Sequence, residues 1–339
     1  MSKPVKIGLV GFGRIGRNLF RLGYKNPNFQ FTVISDFGEP EVLQYLLMRD
    51  SVHGVIEDNI TVDGNFLVVD GQRIRVVQGG EPGSIPWDAF GVDVVIEATG
   101  KYREASELQK YLSAGAKRVF VTVPPENAVD RIIIHGINEN TIDINDKIIS
   151  TSSSTTHVLA LMLKMLDEKF GVKRAMMTTI HAYTSDQPLA DAVRSDLRRS
   201  RSAVENIIPN TTWSPQLVED IMPQFKNKLE GIAFNVPVPD GSCVDLTTEL
   251  ERMPTVEEIN AVVKSYSEGE LKGIVGFTDD PIVSSDVIGS SETMTFDSKA
   301  TMIACGKLLK TICWYDNGWG YSKRILELLQ AYNELEVSA

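Results

Sequence analysis

Three short stretches hold residues whose types and spacing suit chemistry. The first is Ser150 to His157, read Ser-Thr-Ser-Ser-Ser-Thr-Thr-His, which follows the apolar run Lys147-Ile148-Ile149 and opens a helical pattern running on to Phe170. A strand that passes into a helix through small hydroxyl residues presents free backbone N–H groups and the positive end of a helix dipole. A nucleophile is activated and an oxyanion held at such a place; the same residues also read as an ordinary Ser/Thr N-cap. The second is His181, at the end of the apolar run Ala175 to Ile180. It reads either as a base or as a hydrogen-bonded structural histidine, and periodicity does not separate the two. The third is Gly11-x-Gly13-x-x-Gly16.

That glycine turn follows the apolar run Val5 to Val10 and precedes a helical pattern, Asn18 to Tyr24. Strand, glycine turn and helix in this order form the dinucleotide fingerprint: the glycines let backbone approach a pyrophosphate and the helix N-terminus holds its charge. A second apolar run, Phe31 to Ile34, closes on Ser35-Asp36. Asp36 stands about 20 residues past the turn, where a carboxylate meets the ribose hydroxyls. No arginine adjoins it in Ser35 to Gly38, which favours NAD over NADP. Thr99-Gly100 ends the apolar strand pattern Val92 to Glu97 and belongs on the cofactor side of a parallel sheet.

The elements that must position these groups alternate as strand and helix through the first half. Pro40 to Met48 and Ala105 to Ala114 read as helices, and Arg118 to Val123, Ile132 to Ile134 and Lys147 to Ser150 as strands. Asp-Gly pairs at 63–64 and 70–71 punctuate short alternating runs from Ile60 to Val77 and predict hairpins. Beyond Thr155 the pattern changes. Runs at Ala175 to Ile180, Ile232 to Val238 and Cys243 to Thr248 predict a mainly antiparallel sheet with helices on one face. Thr255-x-x-Glu258 is a capping box for a helix from Val256 to Tyr266. The expected fold is α/β: a Rossmann-type doubly wound parallel sheet plus an α+β catalytic domain. The dinucleotide-binding domain is expected over 1–153, completed by a C-terminal helix within 318–339, and the catalytic domain over 154–317.

Composition narrows the function classes. At 339 residues the chain is long enough for two domains. Its 42% hydrophobic and 23% charged residues are those of a soluble globular protein. A net charge of -11 argues against nucleic acid and anionic membranes as partners. Cys243, Cys305 and Cys313 have neither metal spacing nor a disulfide framework, so no metal is expected and the cytoplasm is the expected location. Met1-Ser2-Lys3-Pro4 leads into a strand without a signal-peptide pattern. The run Arg194 to Arg201 holds four arginines within a long stretch of low hydrophobicity, Thr184 to Ile207. Such a loop faces an anion or another subunit.

The chain resembles the glyceraldehyde-3-phosphate dehydrogenase family. The resemblance rests on Gly11-Phe12-Gly13-Arg14-Ile15-Gly16-Arg17, Glu97-Ala98-Thr99-Gly100, His181-Ala182-Tyr183-Thr184 with Asp186-Gln187, Leu197-Arg198-Arg199-Ser200-Arg201, Asn206-Ile207-Ile208-Pro209 and the run Trp314 to Tyr321. It implies NAD held by Gly11, Gly13, Arg14, Ile15, Gly16, Asp36, Thr99, Gly100, Thr122 and Asn317, the last on the nicotinamide amide. It further implies a homotetramer with the 184–207 loop at an interface. A small carbonyl substrate is then expected at Ser153, Thr155, Thr184, Arg199, Thr212, Trp213 and Asn235. The family's stretch reads Ser-Asn-Ala-Ser-Cys-Thr-Thr-Asn, and its cysteine is the nucleophile; that position here is Ser154. His181 matches the histidine that acts beside it as base and as donor to the oxyanion.

Serine for cysteine alters the chemistry. A thiol near pKa 8.5 becomes a thiolate at a helix N-terminus beside an imidazole, whereas a serine hydroxyl must lose its proton during attack. An ester also passes its acyl group on more sluggishly than a thioester, so transfer to phosphate is the endangered step. The anion subsites differ too. Thr184 matches the threonine at the substrate phosphate, but the family's arginine on the next strand is Asn235 here. Arg199 and Thr212 match the second phosphate subsite, where Trp213 replaces a glycine and is expected to crowd the phosphate, and Ser214-Pro215-Gln216 replaces a small-small-lysine run. His157 replaces asparagine and Gly318 glutamate, while Asn317 is retained. The first reading is an NAD-dependent oxidoreductase of this family acting on a different aldehyde or related carbonyl. The alternatives are a phosphorylating glyceraldehyde-3-phosphate dehydrogenase inactivated at Ser154, and a dinucleotide-binding pseudoenzyme.

Overall fold

The computed structural model describes residues 3–338, the side chains of 337 and 338 aside. The chain forms two compact units. The first comprises the residues up to Ile133, Glu139–Ser152 and the chain from Ser322 on; the second comprises Ile134–Asn138 and Ser153–Tyr321. The excursion Ile134–Asn138 joins the second unit for a packing reason. Ile134 belongs to that unit's core, and Lys164 Nζ donates to the Gly136 carbonyl at 3.2 Å.

The first unit runs β1 (Val5–Val10), α1 (Arg14–Gly23), β2 (Phe29–Asp36), α2 (Pro40–Met48), β3 (Arg49–Asp50), β4 (Gly54–Val55), β5 (Ile60–Val62), β6 (Phe66–Val69), β7 (Gln72–Gln78), β8 (Val94–Glu97), α3 (Ala105–Ser113), β9 (Arg118–Val121), β10 (Arg131–Ile132) and β11 (Ile148–Ser150). Its main sheet has the order β10-β11-β9-β8-β1-β2-β7-β6-β5. All pairs from β10 to β7 are parallel, and β6 and β5 close the edge as antiparallel hairpins. The Asp70-Gly71 turn between β6 and β7 has φ of 48° and 83°, the left-handed pair that a two-residue hairpin needs. Because β1 lies between β2 and β8, the strand order reverses there, and the crevice at those strand ends is the dinucleotide position of an open α/β sheet. Helix α1 starts at Arg14, earlier than the apolar pattern from Asn18 predicts, because the glycine turn itself supplies the first helical turn.

The second unit runs α4 (Ser154–Phe170), β12 (Val172–Ala182), β13 (Ile208–Asn210), α5 (Ser214–Ile221), β14 (Leu229–Val236), β15 (Ser242–Leu250), α6 (Val256–Glu268), β16 (Val275–Thr278), β17 (Met294–Asp297), β18 (Met302–Ala304), β19 (Leu308–Tyr315) and the start of α7 (Trp319–Ser338). Its sheet is ordered β13-β14-β12-β15-β19-β17-β16, with β18 on β19. It is mainly antiparallel, as the sequence predicts, but β12–β14 and β16–β17 are parallel. The first of these follows from the crossover through α5. Helix α4 contains no Gly or Pro, begins under the N-cap Ser153 and stops at Gly171, whose φ is +68°. Its residues from Val158 to Leu163 are all buried, the all-round apolar pattern of a helix enclosed on every side. It packs on β12 and β15 and against α5 and α6.

From Ser322, α7 belongs to the first unit. Tyr332 meets Phe120 edge-on at 5.7 Å and donates to an Asp146 carboxylate oxygen at 2.7 Å. The capping box at α6 is formed, with Glu258 N donating to Thr255 Oγ1 and Thr255 N to the Glu258 carboxylate.

Candidate active site

In the first unit, the loops after β1 and β8 touch. A Cβ on Gly11, whose φ is +87°, would lie 2.8 Å from Thr99 Cγ2, and one on Gly16 would lie 2.1 Å from the Gly11 carbonyl oxygen. Only glycine fits at these two points, so the turn folds tightly onto itself. Gly13 is different: its Cβ would meet nothing within 4 Å. It is the N-cap of α1 and supplies no side-chain cap, so the first N–H groups of α1, at Arg14, Ile15 and Gly16, face a space open to an anion.

Asp36 ends β2, its Oδ2 accepting from Phe12 N at 2.7 Å and its Oδ1 from Gly38 N at 3.1 Å. The carboxylate is thereby anchored across the glycine turn and keeps acceptor capacity on both oxygens. Buried Glu97 accepts from Thr99 N at 2.7 Å, from the Thr99 hydroxyl, and from Tyr111 at 2.7 Å. Burial pushes its pKa up. Glu97 therefore positions Thr99-Gly100 from below. Thr122 spends both its N–H and its hydroxyl on the Glu97 carbonyl, at 3.1 and 3.0 Å.

In the second unit, Ser154 is the first residue of α4 and is half-buried. His181 is the penultimate residue of β12. One buried group ties these elements together. The Tyr315 hydroxyl lies 2.8 Å from Thr155 Oγ1 and 3.0 Å from Thr179 Oγ1. Tyr315 thus clasps the first turn of α4 to β12 two residues before His181, whose ring it meets edge-on at 6.1 Å. Burial raises the Tyr315 pKa to about 12, so the clasp stays protonated. The His181 Nδ1 is 2.6 Å from the Ala182 carbonyl. A carbonyl only accepts, so Nδ1 carries the proton and Nε2 of the neutral ring is the basic nitrogen.

Next to it, Ala182 N donates to Ser242 Oγ at 3.0 Å, and Ser242 donates to Asn317 Oδ1 at 3.1 Å. Asn317 N is held by Asp240 at 3.1 Å. This fixes the Asn317 amide with its carbonyl engaged and its NH2 as the donating end. His157 is buried, with Nδ1 2.9 Å from the Ser153 carbonyl.

Comparison with known proteins bears on both halves. Residues 5–105 match the profile described as glyceraldehyde 3-phosphate dehydrogenase, NAD binding domain, and residues 153–317 match the C-terminal domain of the same enzyme. The chain belongs to the glyceraldehyde-3-phosphate dehydrogenase family. It is 45% identical to "Glyceraldehyde-3-phosphate dehydrogenase" of Geobacillus stearothermophilus over 325 residues, 96% of this chain and 97% of that protein. It is 44% identical to "Glyceraldehyde-3-phosphate dehydrogenase 1" of Bacillus subtilis (strain 168) over the same shares, and 40% identical to the enzyme of Podospora anserina over 98% of this chain and 99% of that one.

The cofactor is NAD, as the family profile states and as the first unit's geometry fits. Gly13 leaves the space, α1 offers its N–H groups and Asp36 offers the carboxylate. NAD supplies a nicotinamide that takes up a hydride.

The substrate residues the family resemblance assigns do not all converge. Ser153, Ser154 and Thr155 share the N-terminal turn of α4, and Tyr315 ties Thr155 to β12 two residues before His181. Asn235 sits opposite His181 in the β12–β14 register. It is 7% exposed, accepts from Asn210 at 3.4 Å and donates to the Ala182 carbonyl at 3.5 Å. Arg199 and Thr184 lie on the long loop, and both bond the Asp186 carboxylate.

The Trp213 side chain is 66% exposed and lines a surface groove of about 880 Å³ with Thr212, Met176 and Leu308. Sequence reasoning missed Tyr315, Ser214, Ser242 and Glu97 as positioning groups. Tyr315 and Glu97 lie inside motifs that mark the family, but nothing in their spacing announces their contacts. The three cysteines offer no substitute nucleophile: burial pushes Cys243 up to about 12 and Cys313 higher, and Cys305 is exposed on the β18–β19 turn.

Proposed function

We propose that the chain is an NAD-dependent dehydrogenase acting on an aldehyde of the glyceraldehyde 3-phosphate kind, with Ser154 at the reacting position. The relatives' names favour this over an unrelated carbonyl substrate, the reading that stood first on sequence alone. The observation that supports the dehydrogenase assignment is the Tyr315 clasp, which ties Thr155, next to Ser154, to Thr179, two residues before His181. Family membership supports His181 as base and donor to the oxyanion, and Asn317 as the hold on the nicotinamide amide. A second reading, that the substrate lacks the phosphate, is favoured by Asn235, which brings no charge where a phosphate would be held. We also propose that the chain works as a homotetramer with the 184–207 loop at an interface.

The test is initial NADH formation from glyceraldehyde 3-phosphate and from glyceraldehyde. Ser154→Cys should raise the rate on either, because a helix N-terminus and an imidazole lower a thiol pKa. Adding Asn235→Arg should lower KM for the phosphate ester by about tenfold to a hundredfold, the value of one charge-assisted bond. No NADH from any aldehyde, in either form and with NAD bound, would reduce the protein to a dinucleotide-binding one.

A further inference from the structure

We propose that this site passes no acyl group to phosphate and releases the free carboxylic acid instead, with Ser214 as the residue that closes it to phosphate. The inference rests on the dehydrogenase reading above and specifies its product. Its observation is the direction of three hydroxyl bonds, two of which end on Ser214. Thr156 Oγ1 donates to Ser214 Oγ at 3.1 Å, and Thr212 Oγ1 donates to the same oxygen at 3.2 Å. Thr156 Oγ1 and Ser153 Oγ lie 2.7 Å apart, and since the Thr156 proton goes to Ser214, Ser153 is the donor of this pair. Three hydroxyls that border Ser154 in sequence or share the α5 cap therefore direct their protons to protein oxygens. Backbone donors are engaged as well, Thr156 N with Ser153 Oγ at 3.2 Å and Ser214 N with Thr212 Oγ1 at 3.2 Å. Ser214 itself is 2% exposed.

A phosphate binds through converging donors. Here binding would require at least three formed hydrogen bonds to be broken. An alanine at 214 would leave Thr156 and Thr212 without their acceptor and turn both protons outward.

The chemistry closes without phosphate. An aldehyde bearing an α-hydroxyl group exists in water largely as its hydrate, RCH(OH)2. His181 Nε2 takes the proton from one hydroxyl of the hydrate. The C–H bond breaks with its electron pair passing to the oxidised nicotinamide dinucleotide, and the C–O bond becomes a carbonyl. RCH(OH)2 and the oxidised dinucleotide give RCOOH, the reduced dinucleotide and a proton. No bond forms to Ser154, which is consistent with its poor nucleophilicity.

Three readouts test this on the full chain. Inorganic phosphate is titrated calorimetrically into the protein free of dinucleotide, as the natural sequence and as Ser214→Ala. The natural protein should give no binding heat, and Ser214→Ala should gain at least about tenfold in phosphate affinity. With NAD and glyceraldehyde 3-phosphate, the free acid should equal NADH formed, and the rate should stay within about twofold with or without phosphate. Intact-mass spectra of quenched reactions should show no acyl adduct on the chain. Acyl phosphate among the products, a phosphate-dependent rate, a Ser154 adduct or phosphate binding by the natural protein would each overturn the inference while leaving the dehydrogenase reading standing. An unchanged Ser214→Ala would overturn the role of Ser214. Absence of NADH from any aldehyde, with NAD still bound, would overturn both.

Discussion

At the scale of single residues, Tyr315 decides more than its place in a motif suggests. Its hydroxyl serves Thr155 and Thr179 at once, in a fully buried position. Tyr315→Phe keeps the ring and removes both bonds, stranding two threonine hydroxyls. The expected loss is about 1–3 kcal/mol of stability, read by denaturant unfolding. The α4 N-terminus should also loosen from β12, so turnover should fall more than stability alone explains. Unchanged unfolding and unchanged turnover would show that the clasp positions nothing. Ser154 belongs to the same scale. The family's cysteine is replaced by a group of far higher pKa, and no other cysteine is placed to serve.

At the scale of elements, the β1–α1 turn separates folding from binding. Gly16 is required by the fold, since a methyl group there would meet the Gly11 carbonyl at 2.1 Å, whereas Gly13 borders open space. Gly13→Ala should therefore fold as the parent does and lose at least about tenfold in NAD affinity, because its methyl fills the space above the helix N–H groups. Gly16→Ala should lose both NAD binding and thermal stability. Far-ultraviolet dichroism, a melting curve and NAD titration on the two variants read this contrast. Equal behaviour of the two variants would sink it.

At the scale of the whole molecule, the 184–207 loop is the element least able to stand alone. Leu189, Val193, Leu197 and Ile207 are exposed on it, Val193 completely, and its internal ties are surface pairs such as Arg201–Asp191 and Arg199–Asp186. Such pairs contribute little in water, and exposed apolar side chains on a long irregular loop point to burial against another copy. Sedimentation at low micromolar concentration should give a mass near four chains. Reversing two charges, Arg199→Glu with Arg201→Glu, should shift it downward. A monomer for the natural sequence would remove the loop's role. Among the described residues, no helix is long and apolar enough to cross a membrane.

Sequence alone determined what depends on local order along the chain. The glycine turn with Asp36 at its distance, the βα alternation, the Asp-Gly hairpins and the Thr255–Glu258 box each follow from backbone freedom or short-range hydrogen bonding. The family motifs likewise named Ser154 and His181, 27 positions apart in the chain. Only the tertiary structure decided how those residues are served. Trp213 came to line an open groove beside Thr212, which no spacing records. Arg199 was drawn to Asp186, a neighbour in the loop's fold. Ser214 became the acceptor for Thr156, 58 residues away, and Tyr315 a bridge to Thr155, 160 residues away. A buried hydroxyl takes whichever partner the packing brings within reach, so the partners of Ser214 and Tyr315 are set by the sheet and helix that meet there.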